Sequence, residues 1–305
     1  MKSTDLFFIN LTNQIIRASC ILIFFSTLFF THPCKGQAKD SISNQRLKTV
    51  IITGGILYTG TMIGLNSIWY KQYDKQPFSF FNDWPEWKQM DKLGHFYSSF
   101  QLSSISSRAF QWSGVSKKKS DFGGAITSFA IMSSIEILDG FSLGYGASAS
   151  DWAANALGSG FYLGQNFLWK QVRIYPKYSF HRTDFAKQRP NTLGNGLLEE
   201  MIKDYNGQTI WLSVDMDKFM GFPKWLNLAV GYSAENMIYA RDAQNIERGI
   251  NPYRQLYISL DFDLTAIKSR SKVINTLLYF ANMIKLPAPA IEITQAKTKA
   301  HLIYY

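Results

Sequence analysis

Long apolar stretches with helical periodicity fill most of the first half of the chain. They predict four helices, over residues 47–70, 91–112, 121–138 and 150–169. The first helix contains Gly60 and Gly64, a spacing that allows two helices to approach closely. The first, third and fourth helices are long enough to cross a bilayer, yet they are rich in Ser and Gly. This pattern favours a tightly packed bundle that is embedded in a membrane or lies against one.

The second half of the chain changes to a period of two. Alternating apolar and polar residues predict strands over 210–217, 226–231 and 255–264, and residues 301–305 suit a last strand. We expect the first and third of these segments to pair in one antiparallel sheet. The alternation predicts that one apolar set is buried, namely Leu212, Val214, Ile258, Leu260 and Phe262.

These patterns predict an α+β protein, with an N-terminal helical bundle of about four helices followed by a small antiparallel β extension. A further helix is predicted over 271–284, and the segment 176–208 is polar and irregular. Three or four strands are too few for a membrane barrel, so a full barrel is rejected. The predicted domains are a signal peptide over 1–38, the bundle over 39–175 and a mixed extension over 176–305.

The N-terminus has the three parts of a secretory signal peptide. A polar section ends at Arg17, an apolar stretch runs from Ala18 to Phe30, and Gly36 and Ala38 form a pair of small residues. We expect cleavage after Ala38, with an uncleaved membrane anchor as the alternative. The expected location is the cell envelope, in the periplasm or associated with a membrane after cleavage.

The positions of the two cysteines limit the chemistry that the mature chain can carry out. Cys20 and Cys34 both lie in the segment expected to be removed, so no thiol remains for a disulfide or a metal ion. Pro33 stands where a lipid-modified cysteine requires a small residue, which argues against acylation of Cys34.

The net charge of +10 falls to +8 without residues 1–38, which leave 29 basic and 21 acidic residues. In an exported protein this excess favours a membrane or envelope lipid as partner over nucleic acid, and a solvated basic surface is the alternative. No protein partner is indicated. The densest basic run, Lys117 to Lys119, is expected to form a loop.

Polar residues recur at helical spacing in three of the apolar helices. The six candidates are Asp91 and His95 on the second helix, Glu136 and Asp139 on the third, and Asp151 and Asn155 on the fourth. Neighbouring helices of an up-down bundle alternate in direction, so these positions all fall at one end of it. We therefore expect the six groups to converge, with His95 in direct or water-bridged reach of Glu136 or Asp151.

Two interpretations of this cluster are open. Carboxylates beside one imidazole suit a divalent metal ion or general acid–base catalysis. A structural interpretation also fits, because Asp91 is a good N-cap, Ser148 and Asp151 match a capping box, and His95 can hold helices in register. The chain has no P-loop, nucleophile elbow, zincin or dinucleotide motif.

The same residues carry a resemblance to a known family. The motifs are Asp91-Lys92-x-x-His95-Phe96, Glu136-x-x-Asp139 and Ser150-Asp151-x-x-Asn155-x-x-Gly158. They resemble those of the YfiM-like predicted periplasmic lipoproteins, whose activity is unassigned, and their order is also similar to that of VanZ-like membrane proteins. The resemblance covers about 80 residues, from Asp91 to Trp169, and implies an envelope location. Residues from about 180 to 305 look like an extension carried by longer members.

Two functions of different classes follow from these observations. The first is a non-enzymatic, membrane-associated structural or binding protein of the cell envelope. The alternative is a metal-dependent hydrolase that acts on a lipid or cell-wall precursor, with the six candidates around a divalent metal. An open cleft at the cluster favours the hydrolase, and a closed, mutually bonded cluster favours the structural protein.

Overall fold

The computed structural model describes residues 42–71 and 73–305. The predicted signal peptide, its cleavage site and both cysteines therefore lie outside the described residues. Four long helices occur close to where the apolar periodicity predicts them: α1 Asn44–Leu65, α2 Met90–Trp112, α3 Lys117–Gly140 and α4 Ala149–Trp169. The run from Lys117 to Lys119 is not a loop but the first turn of α3, where Lys117 pairs with Asp121 one turn later at 2.6 Å.

Helices α2, α3 and α4 pack against one another through small and hydroxyl side chains. A Cβ atom added to Gly124 would lie 2.5 Å from the carbonyl oxygen of Ser103, and one added to Gly158 would lie 2.2 Å from that of Phe96. Across the same interfaces, Ser128 donates a hydrogen bond of 2.7 Å to the carbonyl oxygen of Ser99. The helices are therefore close enough for one backbone to touch the next, which larger side chains would prevent.

Helix α1 lies beside this group without burying any of its own side chains. Its start is fixed by the Ser43 amide, which donates to the carbonyl oxygen of Ser113, and its middle by a Tyr58 to Ser134 hydrogen bond of 2.9 Å. A Cβ atom added to Gly60 or to Gly64 would have no neighbouring atom within 4 Å, so no close helix approach occurs there in the described structure. Helices α1 and α3 are long and apolar enough to cross a membrane.

The second half forms one six-stranded antiparallel sheet with its strands in chain order. The strands are β1 Ile174–Phe180, β2 Gln208–Val214, β3 Leu226–Glu235, β4 Tyr253–Phe262, β5 Ala288–Ile293 and β6 Thr298–Tyr304. This arrangement confirms the α+β fold class. Strands β1 and β5 were not predicted from the sequence because each contains a proline, a residue that usually interrupts sheet hydrogen bonding.

Short helices fill the connections between the strands. They are α5 Phe185–Gln188, α6 Pro190–Leu193 and α7 Leu197–Lys203 between β1 and β2, α8 Asp242–Ile246 between β3 and β4, and α9 Lys272–Ala281 before β5. Helix α9 is the helix that the sequence predicted over 271–284, although it ends three residues earlier.

The sheet curls strongly on itself. The Tyr304 ring, on β6, lies 4.4 Å from the Tyr257 ring on β4 and 5.9 Å from the Trp211 ring on β2. On the other side, the chain before β5 pairs with β1, because the Lys285 amide donates to the Tyr178 carbonyl and the Tyr178 amide donates to Met283. The concave face is therefore enclosed, even though β1 and β6 are not hydrogen-bonded neighbours among the described strands.

The predicted burial of the apolar sheet residues is wrong. Segments 210–217 and 255–264 do contribute strands to one antiparallel sheet, with β3 between them. However, Leu212 is 39 % exposed and Ile258 is 51 % exposed. The rest of the set is also at least partly exposed, namely Val214, Leu260 and Phe262. Alternation separates the two faces of a strand without saying which one turns inward, and here the polar and aromatic face is enclosed.

Hydrogen bonds and charge pairing satisfy much of this enclosed polar face, although Asn227 Oδ1 and Asp261 Oδ1 are buried without a hydrogen-bond partner among the described residues. Lys177 and Asp261 have fully buried side chains, and the Lys177 ammonium lies 2.7 Å from an Asp261 carboxylate oxygen. Lys177 also donates to Asn282, and the Ser213 hydroxyl donates to Asp261 at 2.6 Å. Buried charges require such partners, so the interior of the sheet combines a bonded polar network with a buried cluster that contains Trp211 and Tyr257.

Candidate functional site

A strained turn positions the first residues of α2. Trp87, Lys88 and Gln89 have φ angles of 48°, 51° and 65°, which are unusual for residues other than glycine. Contacts from β3, from β4 and from the connection between them hold this conformation. The Trp87 amide donates to the Ala240 carbonyl at 2.7 Å, and the Tyr232 hydroxyl donates to the Lys88 carbonyl at 2.6 Å. Arg254 donates to the Gln89 side chain at 2.6 Å, and the Lys88 ammonium pairs with Asp242 at 2.5 Å. The C-terminal half therefore fixes the turn that aims Asp91 and Lys92.

Lys92 is the centre of the polar cluster. Its ammonium lies 2.5 Å from Asp83, 2.7 Å from Asp151 and 2.9 Å from Asp91. These carboxylates come from three places, the linker before α2, the first turn of α4 and the first turn of α2 itself. The Lys92 side chain is only 7 % exposed, so these ion pairs are largely shielded from water. We refer to Asp83, Asp91, Lys92 and Asp151 as the Lys92 cluster.

The Lys92 cluster has three carboxyl groups for one ammonium, and one carboxyl group keeps its proton. Burial, the Asp91 charge and a hydrogen bond to Asp83 raise the pKa of Asp151 to about 10. Burial alone would raise the pKa of Asp83, but hydrogen bonds from Asp151, Lys92 and Ser148 outweigh it and lower the pKa to about 2. Asp151 is thus the protonated donor and Asp83 the charged acceptor.

Two serines complete the bonding of Asp83. The hydroxyl groups of Ser148 and Ser150 both donate to one Asp83 oxygen, at 2.6 and 2.7 Å. Ser148 is also the N-cap of α4, because its hydroxyl oxygen accepts a hydrogen bond of 3.1 Å from the Asp151 amide. The predicted cap at Ser148 is therefore present. The N-cap position of α2 is Gln89 rather than Asp91.

His95 lies at the edge of the cluster and touches three of the predicted partners. Its Nδ1 atom is 3.0 Å from Asn155 Oδ1 and 3.5 Å from Glu136 Oε1, and its Nε2 atom is 3.8 Å from Asp91 Oδ1. Asn155 Oδ1 also accepts a hydrogen bond from Ser99. The structure therefore places His95 within the predicted distance of Glu136, and brings five of the six candidates together.

Asp139 is the candidate that stands apart from this central group. It is hydrogen-bonded to the hydroxyl of Tyr70, in the π-helical segment Asn66–Tyr70 that follows α1. Glu136 points inward from one turn earlier on α3, and its Oε2 atom accepts a long hydrogen bond from the Ser148 amide. Asp139 therefore connects α1 to the end of α3, whereas Glu136 faces α2 and α4.

Sequence spacing missed three important members of the site. Lys92 stood inside the quoted motif but was not counted as a site residue. Asp83 lies in the irregular linker, and Tyr205 lies in the polar segment before β2, where its hydroxyl donates to Asp91 at 2.7 Å. Neither segment has helical periodicity, so spacing on a helix face could not identify them. The only sequence signal was the position of Lys92 beside Asp91.

The residues present fit a divalent metal ion in part. Asp91, His95 and Asp151 each offer a ligand atom within 4.8 Å of the others, and carboxylates with one imidazole form a suitable ligand set. Among the described residues, Glu136 Oε1 and Asn155 Nδ2 are buried without a hydrogen-bond partner. Against a metal ion, the Lys92 ammonium already pairs with Asp91, and Asp151 would have to lose its proton before it could bind a cation.

The cluster is closed rather than open. Asp91 is its most exposed member at 26 %, while the Glu136 side chain is 1 % exposed. A cavity of about 480 Å³ lies nearby, lined by Phe80, Phe81, Asn82, Ala149 and Ser150. Only Ser150 connects this cavity to the cluster, so no carboxylate and no imidazole lines it. This geometry suits mutual bonding better than attack on a substrate.

Comparison with known proteins agrees with the motif evidence. Residues 79–165 match the family model described as predicted periplasmic lipoprotein (DUF2279), and no curated protein and no solved structure matches the chain. Similarity to VanZ-like proteins is not shown. The matched segment contains the whole Lys92 cluster and His95, and it ends before the sheet begins. Over residues 79–165 the chain is therefore similar to the predicted periplasmic lipoproteins, a family of unknown function, which agrees with a location in the cell envelope.

Proposed function

We propose that this protein is a non-enzymatic, membrane-associated component of the cell envelope, in which the Lys92 cluster holds the fold together. The observation that carries the proposal is the bonding of one buried ammonium to three carboxyl groups from separate segments. A catalytic group needs access to a substrate, whereas these groups are directed at one another. Their mutual satisfaction supports a structural role.

The cluster joins segments that lie far apart in the sequence. Asp83 connects the linker to Lys92, and Asp151 connects α4 to it. Tyr205 connects the segment before β2 to the cluster by its hydrogen bond to Asp91. Because the sheet in turn holds the strained turn before α2, the two halves of the molecule stabilise each other at this point. The cluster therefore ties the helices to the sheet in the proposed membrane-associated protein.

Metal content and stability measured together test this role. Purified full-length chain and its His95→Ala variant are analysed for bound metals, and their thermal unfolding is compared. We expect no stoichiometric metal in either protein. His95→Ala should unfold earlier, because loss of a largely buried hydrogen-bonding partner costs about 1–3 kcal/mol. His181→Ala, which removes a histidine outside the cluster, is the control.

A metal-dependent hydrolase of lipid or cell-wall precursors is the second candidate. It is favoured by the three ligand atoms of Asp91, His95 and Asp151 within 4.8 Å of one another. This function requires a stoichiometric metal in the unsubstituted chain that is lost in His95→Ala. Such a result would replace the structural proposal.

A further inference from the structure

The outer face of the sheet carries a continuous apolar surface. One row crosses four neighbouring strands through the cross-strand neighbours Leu212, Val230, Ile258 and Ile291. All four side chains are exposed. With strands about 4.8 Å apart, this row is about 14 Å wide. Parallel rows lie on both sides of it, one with Leu228 beside Leu260 and the other with Leu256 beside Ile293.

The height of this surface is enough to enter the hydrocarbon of a bilayer but is less than its full thickness of about 30 Å. Strands β3 and β4 have 10 residues each, the length of a tilted strand that crosses a membrane. On β4 the outward residues run from Leu256 to Phe262, a rise of about 20 Å. The outer apolar face is therefore a broad band rather than a set of scattered residues.

The enclosed face of the same strands shows that the alternation does not bury the apolar residues against a core. A soluble sheet turns its apolar face toward a core, but here Lys177, Ser213 and Asp261 occupy that position. Polar residues inside and apolar residues outside are the arrangement of sheets that face lipid. The helices have the same arrangement, with Ser99 and Ser107 buried and Ile51 and Ile126 exposed.

Aromatic and basic residues border the apolar band at one end. Trp225 precedes β3, is 53 % exposed, and stacks on Phe262 at the end of β4. Lys224 is exposed beside it, and three further exposed basic residues follow β4, namely Lys268, Arg270 and Lys272. Tryptophan favours the membrane interface, and lysine and arginine favour anionic headgroups. This border fits a bilayer better than a protein partner.

We propose that the outer face of the sheet lies in the hydrocarbon of a lipid bilayer, with the Trp225 end at anionic headgroups. The β extension is then a lipid-embedded part of the protein and does not face the periplasm or a protein partner. This inference rests on the proposed membrane association and identifies the protein surface that contacts the membrane. It is independent of the role of the Lys92 cluster.

Spin labels distinguish the three environments that the outer face can have. Val230→Cys and Ile258→Cys are labelled in full-length chain with Cys20 and Cys34 replaced by serine. The protein is placed in vesicles of phosphatidylethanolamine and phosphatidylglycerol. Accessibility to oxygen and to a water-soluble nickel chelate is then measured, with exposed Lys118→Cys as the aqueous control.

Lipid contact requires high oxygen and low nickel accessibility at positions 230 and 258, and the reverse at 118. High nickel accessibility at 230 and 258 means that the face is in water. Low accessibility to both reagents means that a second copy or another protein covers it. Either of these outcomes overturns the proposal.

A charge substitution provides a second test that does not depend on labelling. Ile258→Lys should lower partitioning into the same vesicles by about 30-fold or more, because a lysine facing lipid at mid-depth is strongly disfavoured. Ile246→Lys, a similarly exposed isoleucine in α8 outside the strands, should leave partitioning unchanged. Equal partitioning of both variants contradicts the proposal even if the Lys92 cluster proves structural.

Discussion

Replacement of Lys92 by methionine removes the one cation that three carboxyl groups share. Methionine keeps most of the length and apolar stem of lysine, so packing changes little while the charge is lost. The ammonium lies 2.5–2.9 Å from Asp83, Asp91 and Asp151, and its side chain is largely buried. Removal of one partner from a buried ion pair typically costs about 3–5 kcal/mol. Protonation of Asp151 limits the repulsion that remains, so we expect a loss within this range.

The assay is urea unfolding of the full-length chain in detergent micelles, followed by tryptophan fluorescence. Lys92→Met should unfold at a clearly lower urea concentration, and Lys118→Met, at an exposed position, should change the unfolding free energy by less than about 0.5 kcal/mol. Addition of Asp83→Asn to Lys92→Met should recover part of the loss, because it removes one uncompensated charge. If Lys92→Met unfolds at the same urea concentration as the unmodified chain, the structural reasoning about this cluster is refuted.

Three further substitutions test separate parts of the structure. Tyr205→Phe keeps the ring that packs on Trp87 but removes the hydroxyl that donates to Asp91. The free energy of unfolding in urea should fall by about 1.5–3 kcal/mol. An unchanged unfolding midpoint means that this hydrogen bond does not stabilise the fold. Gly158→Ala forces a methyl group against the Phe96 carbonyl and should destabilise the α2–α4 contact by about 1–3 kcal/mol or more, whereas Gly160→Ala, in open space on α4, should be tolerated. The third substitution concerns pH. Asp151 binds a proton in the folded state up to about pH 10 but loses it near pH 4 when unfolded, so its contribution to stability falls as the pH rises through this window. Asp151→Asn should therefore flatten the decline in melting temperature between pH 5 and pH 8, and an unchanged decline contradicts the assigned proton.

Helix positions and the convergence of the polar residues could be predicted because both depend on local periodicity. Long apolar runs fix α1 to α4, and the i, i+4 spacing of Asp91 with His95 places both on one face of α2. The order of the helices then brings Glu136 and Asp151 to the same end. No local pattern contains Asp83 or Tyr205, because these residues reach the cluster only through the tertiary fold.

The orientation of the sheet could not be predicted from alternation alone. Alternation with a period of two predicts that Ile258 and Tyr257 lie on opposite faces of the strand. Which face becomes enclosed depends on the solvent around the protein. In water the apolar side turns inward, and next to lipid it turns outward. The polar residues between the apolar ones, such as Asn227 and Asp261, are fully buried. Their polarity alone fits either a face in water or an enclosed face whose groups bond to one another.

Retention in the membrane after an alkaline carbonate wash tests the proposed membrane association most directly. The measurement uses envelope fractions of cells that produce the Cys34→Ser variant, so that acylation at this position cannot hold the protein, and mass spectrometry confirms that the N-terminal segment has been removed. A protein with a lipid-facing sheet and exposed apolar helices must remain in the washed membrane pellet. Recovery of the mature variant in the soluble periplasmic fraction, or its release by carbonate, would contradict the account.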